Sequence, residues 1–363
     1  MIRLENVSKV YPGAASPAVS ELNLEVGEGE IAVLVGPSGC GKTTTLKMIN
    51  RLIEPTSGRI EVAGQDVMAL DPSDLRRGIG YVIQQIGLFP HRTIAENIAT
   101  VPRLLRWDAA RIEARVNELI EVVDLEKSMR DRYPAELSGG QRQRVGVARA
   151  LAVDPPVMLM DEPFGAVDPI VRARLQDQFL EIQARIRKTI VLVTHDIDEA
   201  IKLGDKIAIL QNGGVLAQYD SPADILKNPA SDFVADFLGT DRGLKRLALI
   251  PISAAELDPG PVLPATATVG EAREVMSRYG VDWIGVGGDG RLDGWVPASE
   301  LNARSNLTGL PLRRFRSWLR LDSSLREALD TVISSRTSVA PVFDGDRYLG
   351  MLTADTIGRE IVQ

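Results

Sequence analysis

One cysteine and two histidines stand in 363 residues. A disulfide framework is therefore excluded, and a reducing compartment fits best. Long apolar runs are also lacking. None approaches the roughly 18 to 20 residues that cross a bilayer, and the first eleven residues hold no apolar core of a signal peptide. Nor is there an excess of positive charge: the formal net charge is -7, with 42 Lys and Arg against 49 Asp and Glu. That balance argues against a general nucleic-acid binder. The expected place is the cytoplasm, or the cytoplasmic face of a membrane by way of a partner. The rest of the composition is ordinary, 44% hydrophobic and 25% charged. It permits large cores, excludes wholesale disorder, and at this length calls for two or three domains.

Residues 1–240 alternate short apolar runs with longer helical stretches. Residues 31–35, 157–160 and 190–193 have the pattern of buried strands, and 108–125 and 170–187 read as helices. The alternation predicts an α/β core. Residues 241–264 are crowded by Gly243, Pro251, Pro259, Gly260, Pro261 and Pro264 and read as a linker. An internal repeat follows, with copies at about 265–305 and 321–363. A shift of 56 residues carries Val269 onto Leu325, Glu271 onto Glu327, Ala272 onto Ala328 and Gly294 onto Gly350. Each copy reads helix, strand, tight polar turn, strand, helix. Two such short units need each other to bury their apolar faces. The fold class expected is thus α/β over 1–240, followed by an α+β pair over 265–363.

Gly36, Pro37, Ser38, Gly39, Cys40, Gly41, Lys42 and Thr43 fit G-x-x-x-x-G-K-[ST]. They follow the strand at 31–35 and precede a helical run that starts at Thr44, which is the context the pattern requires. The glycines let consecutive N–H groups turn inward on phosphate oxygens, and the helix aims its positive end at the same place. Lys42 is expected to reach the β- and γ-phosphates of a nucleotide, and the Thr43 hydroxyl to ligate Mg²⁺. Cys40 sits at a helix start, where thiolate is favoured. It is expected to react with maleimide unless Mg-ATP protects it, with structural burial as the alternative. Downstream, the strand at 157–160 ends in Asp161 and Glu162. Beside a phosphate loop, Asp161 suits the Mg²⁺ shell and Glu162 suits an attacking water.

Leu137, Ser138, Gly139, Gly140 and Gln141 spell LSGGQ. At average composition a chance copy is rarer than about one in a thousand. On this run the chain resembles the nucleotide-binding subunits of ABC transporters. The resemblance implies further roles: Tyr11 against adenine, Gln84 as a glutamine reaching Mg²⁺, Asp168 in the D-loop and His195 at the γ-phosphate. For His195 a core histidine is the competing reading, and His91 reads as a surface residue beside a membrane partner. In this family the signature serves the ATP of a second copy, so the resemblance implies a homodimer with ATP between subunits. The helix that starts after Gly139 supplies a physical reason, since its free N–H groups attract anions.

The resemblance also narrows the type. No long insertion separates the P-loop from the signature, a single P-loop is present, and membrane spans are lacking. An importer subunit fits, peripheral on the cytoplasmic membrane face. Residues 47–58 and 79–91 resemble importers of glycine betaine, carnitine and choline, and the duplicated tail resembles a tandem CBS pair. A permease and, indirectly, a substrate-binding protein are the implied partners, and nucleic acid is not. Residues 85–97, with Leu88, Phe89 and Pro90, are expected to receive a permease helix. In the tail, Thr353 and Asp355 match positions that contact ribose, which implies an adenine nucleotide there. Arg313, Arg314, Arg316 and Arg320, with Phe315 and Trp318, could meet anionic lipid or an acidic face of the cassette, the competing reading being a solvated charged linker with Trp318 tucked into the core of the tail. An importer of another small polar solute, a soluble ABC ATPase and a regulatory protein with an inactive cassette remain the alternatives.

Overall fold

The computed structural model describes residues 1–83, 87–165, 168–301 and 306–362. Two compact units divide the chain, Met1–Leu238 and Gly239–Gln363. Gln84 lies outside the described residues.

In the first unit the strands are β1 (Ile2–Lys9), β2 (Val19–Val26), β3 (Ile31–Val35), β4 (Ser57–Val62), β5 (Gln65–Asp66), β6 (Ile79–Val82), β7 (Val157–Asp161), β8 (Thr189–Val193), β9 (Lys206–Gln211) and β10 (Val215–Asp220). Its helices are α1 (Lys42–Ile49), α2 (Pro72–Arg77), α3 (Ile94–Ile98), α4 (Thr100–Leu104), α5 (Ala109–Val122), α6 (Gly139–Ala150), α7 (Pro169–Ile186), α8 (Ile197–Leu203), α9 (Pro222–Lys227) and α10 (Asp232–Leu238). One sheet runs β10-β9-β3-β8-β7-β6, and an antiparallel sheet runs β2-β1-β4-β5. The pairings among β9, β3, β8, β7 and β6 are parallel, and β10 joins β9 antiparallel. Every residue of β3 and β8 is buried, as continuous apolar runs in a parallel sheet require. One core joins both sheets through Leu46, Met48 and Ile49 of α1. The loops at the carboxyl ends of β3, β7 and β8 therefore converge, the usual ligand side of such a sheet.

The second unit holds α11 (Arg242–Leu247), β11 (Val262–Leu263), α12 (Val269–Tyr279), β12 (Trp283–Gly288), β13 (Arg291–Pro297), β14 (Leu319–Arg320), α13 (Leu325–Ser334), β15 (Val339–Asp344), β16 (Arg347–Thr353) and α14 (Ala354–Val362). Its sheets are β11-β12-β13 and β14-β15-β16. The two hairpins share their register. Trp283 faces Pro297 where Val339 faces Thr353, and both slip at the same point, after Val286 and after Val342. The repeated glycine has a structural cause. A Cβ on Gly294 would meet the Arg313 carbonyl at 2.7 Å, and one on Gly350 the Asp258 carbonyl at 2.8 Å. Each glycine lets an edge segment close on its hairpin, through bridges Trp295–Arg313 and Asp258–Met351.

Two expectations need correction here. Residues 241–264 are not a linker. Leu247 and Ile252 are fully buried with Leu325, Ala340 and Leu352, and β11 pairs with β12. The prolines and glycines mark turns between apolar anchors. The closing helix of the first copy is, among the described residues, a single 3₁₀ turn at Ala298–Glu300. Residues 302–305, which follow Leu301, lie outside the described residues.

Candidate nucleotide site

The loop after β3 is shaped by glycines that no other residue could replace. A Cβ on Gly41 (φ 100°) would lie 2.3 Å from the Ala18 carbonyl, and one on Gly36 2.2 Å from the Leu210 carbonyl. Lys42 opens α1 and is 6% exposed. Its Nζ donates to the carbonyls of Gly36 (2.8 Å) and Pro37 (3.0 Å). An ammonium held on two carbonyls can transfer its donors to a phosphate without moving far. A cavity of about 450 Å³ brings Ser38, Gly39, Gly41, Lys42, Thr43 and Thr44 together with Glu162 and His195. Tyr11 joins through its hydroxyl, 3.5 Å from the Thr44 hydroxyl, and its ring is 39% exposed.

Cys40 does not face that cavity. It is fully buried in the core between the sheets, and the Lys42 ammonium lies 3.7 Å from its sulfur. The residue after the turn must point back under the loop, and a small apolar thiol fills that space. Ready labelling is therefore corrected. Native protein should resist maleimide with or without Mg-ATP and take up one equivalent in denaturant. Fast native labelling would contradict the burial.

Thr43 Oγ1 donates to Asp161 Oδ1 at 3.0 Å. Burial pushes the Asp161 carboxyl above its ordinary range, against the opposing pull of that hydrogen bond. Among the described residues no group of three acidic, His or Cys side chains could hold a metal alone. Mg²⁺ does not need one, since phosphates and waters fill most of its octahedron. A hydroxyl and a half-buried carboxylate are hard oxygen donors, and they fit that ion. The raised Asp161 carboxyl means that the fold favours its protonated form, so its charge costs stability above the folded pKa and nothing below the unfolded one. Asp161→Asn should therefore raise the melting temperature of the nucleotide-free protein near neutral pH and remove Mg²⁺-dependent hydrolysis. A lowered melting temperature would contradict that sign.

Glu162 has φ 45°, a left-handed conformation that a residue with a Cβ adopts only when its surroundings over-determine it. Its N–H donates to the Val193 carbonyl of β8 at 2.9 Å. His195, on the loop after β8, places Nδ1 3.3 Å from Glu162 Oε1. Asp196 caps α8 and lies 3.6 Å from Arg172 of α7.

The signature residues form a second, separate cavity of about 810 Å³, walled by Ser138, Gly139, Gly140, Gln141 and Asp168 among others. Ser138 caps α6: its Oγ accepts from the Gln141 N–H, and Gln141 Oε1 accepts from the Ser138 N–H. Leu137 is buried and anchors the loop. Asp168 caps α7, accepting from the Val171 N–H at 3.1 Å. This cavity shares no lining residue with the first.

In the second unit Thr353 stands at the start of α14. Its hydroxyl accepts from the Thr356 N–H and caps α14, and Asp355 is exposed on that helix. A cleft of about 610 Å³ lies elsewhere, lined by Arg313, Arg314, Arg316, Arg336 and Trp295 among others. Arg313 pairs with Glu300 at 2.5 Å, Arg320 with Asp322 at 3.2 Å, and Trp318 is 56% exposed.

Sequence reading missed Asn97 and Gln143, both buried. Asn97 Oδ1 accepts from the Phe89 N–H, and its Nδ2 donates to the carbonyls of Phe89, Arg92 and Thr93. It shapes the loop that leaves Phe89 and Pro90 exposed. The signal available was an amide inside an apolar helical run.

A family model described as "ABC transporter" matches residues 19–165. The chain is 49% identical over 366 residues to the osmoprotectant import ATP-binding protein OsmV of Salmonella typhimurium, covering 98% of this chain and 95% of that protein. It is 46% identical to the choline transport ATP-binding protein OpuBA of Bacillus subtilis, covering 97% and 94%. Among solved structures, a dimeric ATP-binding cassette in a post-hydrolysis state with ADP and Pi is 34% identical. That match covers 61% of this chain and 99% of the other, with a TM-score of 0.54.

Proposed function

Since this chain belongs to the ABC transporter family, we propose that it is the ATP-hydrolysing subunit of an importer of quaternary-amine osmoprotectants, working as a pair of copies beneath a membrane permease. One observation carries the pairing: the phosphate loop and the signature line two cavities with no residue in common. Each is half a site, and two-fold association would complete both. The solved dimer with ADP and Pi supports the same arrangement. No described helix is long and apolar enough to cross a membrane, so the solute path belongs to a partner.

ATP lies along the loop at Ser38–Thr44, with adenine against Tyr11 and the β- and γ-phosphates on Lys42. Thr43 and Asp161, with Gln84, would hold Mg²⁺, which neutralises phosphate charge when bound. Glu162 draws a proton from the attacking water, whose oxygen bonds to the γ-phosphorus as the bond to the bridging oxygen of ADP breaks. His195, beside Glu162, contacts the γ-phosphate. Ser138 and the Gly139 and Gly140 amides of the second copy close over it.

The loop around Phe89 offers the permease a surface. Phe89 is 37% exposed, and the Arg92 guanidinium lies 4.7 Å from its ring centre. The duplicated second unit acts as a CBS-type regulatory tail. Its arginine-lined cleft suits an anion, from an adenine nucleotide or a lipid head group, and contacts made by those arginines weaken as ionic strength rises.

Uptake in proteoliposomes with the co-purifying permease and binding protein tests this reading. Glycine betaine, choline or carnitine should be taken up with ATP hydrolysis, and sulfate should not. Uptake of a different solute alone would overturn the quaternary-amine assignment. Phe89→Ala should abolish permease assembly and leave ATP binding by the isolated subunit unchanged. Loss of ATP binding would make Phe89 a packing residue instead.

A further inference from the structure

The signature helix reaches the catalytic turn of its own subunit. Gln143 lies one turn into α6, past Ser138, and is 3% exposed. Its Nε2 donates to the carbonyl of Pro163, and its Oε1 has no hydrogen-bond partner among the described residues. Pro163 directly follows Glu162. The turn there is short of donors, because proline has no N–H, and Glu162 occupies the left-handed region. Among the contacts that hold it are the Glu162 N–H on Val193, the Gly165 N–H on the Glu162 carbonyl at 3.2 Å, and the Gln143 amide on Pro163. Two of these come from the sheet and the turn itself. Phe164 of the turn also packs edge to face on Phe179 of α7, and the third contact comes from the element that carries the signature. The far end of α6 is also tied down, with Arg149 Nη1 donating to the Gly87 carbonyl at 2.7 Å.

We propose that Gln143 is a positioning residue: it fixes the Glu162 carboxylate through the Pro163 carbonyl, so that the helix reading one ATP with its N-terminus sets the catalytic group facing the other. An α-helix of 12 residues moves as a rod. Displacement of Ser138 and Gly139 against a second copy's nucleotide therefore reaches Pro163 through one side-chain hydrogen bond. A buried carbonyl left without its donor would relax the turn, and Glu162 would leave the one conformation that aims it into the cavity. This rests on the reading of Glu162 as the group that polarises water.

The test uses the full chain. Gln143→Met keeps length and bulk and removes the donor; Gln143→Asn keeps the amide and withdraws it from Pro163. Both should lower kcat roughly tenfold or more with the KM for ATP nearly unchanged, since the phosphate loop is untouched. In a Glu162→Gln background, Gln143→Met should change the residual rate by less than about twofold, because its effect passes through Glu162. A normal kcat in both Gln143 variants, beside an inactive Glu162→Gln, overturns this inference alone. An equal loss in the parent and in the Glu162→Gln background overturns it too, by showing that Gln143 acts elsewhere. An active Glu162→Gln overturns both readings.

Discussion

Glu162→Gln should lower steady-state phosphate release about 10²- to 10⁴-fold, the contribution typical of a positioned base, and should leave ATP binding intact. Glutamine keeps the side chain's size, and the backbone contacts to Val193 and Gly165 do not involve the carboxylate. Lys42 and Thr43 are not altered, so the phosphates keep their holders. With hydrolysis stopped and binding preserved, the variant should accumulate as an ATP-bound dimer. Phosphate release and light scattering with Mg-ATP check both halves. Activity within about threefold of the parent would remove Glu162 from the role of base.

Gly139→Glu should abolish hydrolysis without harming the fold, and the contrast between the two is the point. A Cβ at Gly139 meets nothing within 4 Å in the single chain. Glycine is among the poorest helix formers, by about 1 kcal/mol against alanine. A glutamate in the first turn of α6 complements the helix dipole by about 0.3 to 1 kcal/mol. The melting temperature should therefore hold or rise. ATP binding to the subunit's own phosphate loop should be unchanged, because that cavity has no residue from the signature. At the interface, however, a carboxylate would stand where amides meet the γ-phosphate of a second copy. Keeping the phosphate away from such donors costs about as much as losing one, 10²- to 10³-fold, and the added negative charge deepens the loss. A stable variant with ordinary turnover would mean that the open face at Gly139 reads no phosphate.

The parts of this site that were legible in the sequence are those whose chemistry is local. A phosphate loop needs its glycines, lysine and threonine at fixed offsets, so residues 36–43 named themselves. Asp161 and Glu162 were legible because a buried strand must end somewhere, and here it ends in two acids. What stayed hidden depends on direction or on distant partners. Cys40 lies inside the loop pattern, yet its side chain points to the core between two sheets that no local pattern reveals. Thr353 carries a ligand-like motif, and its capping of α14 through the Thr356 N–H was not legible beside it. The stretch at 241–264 has the punctuation of a linker, and Leu247 and Ile252 find their partners some 75 to 100 residues away. Gln143 reads as one more polar residue after the signature. Its partner, Pro163, is 20 residues on.

The central claim is that each ATP is held by the phosphate loop of one copy and the signature of another. It is tested most directly by mixing two inactive variants of the full chain. Lys42→Ala lacks the phosphate loop and keeps the signature, and Gly139→Glu has the reverse defect. Each should be inactive alone. A mixed dimer holds one intact composite site, so random mixing should restore about one quarter of the parent's ATPase. Activity that stays at the level of the separate variants, while light scattering shows that mixed dimers form, would contradict the claim and put signature and phosphate loop on the same ATP within one chain.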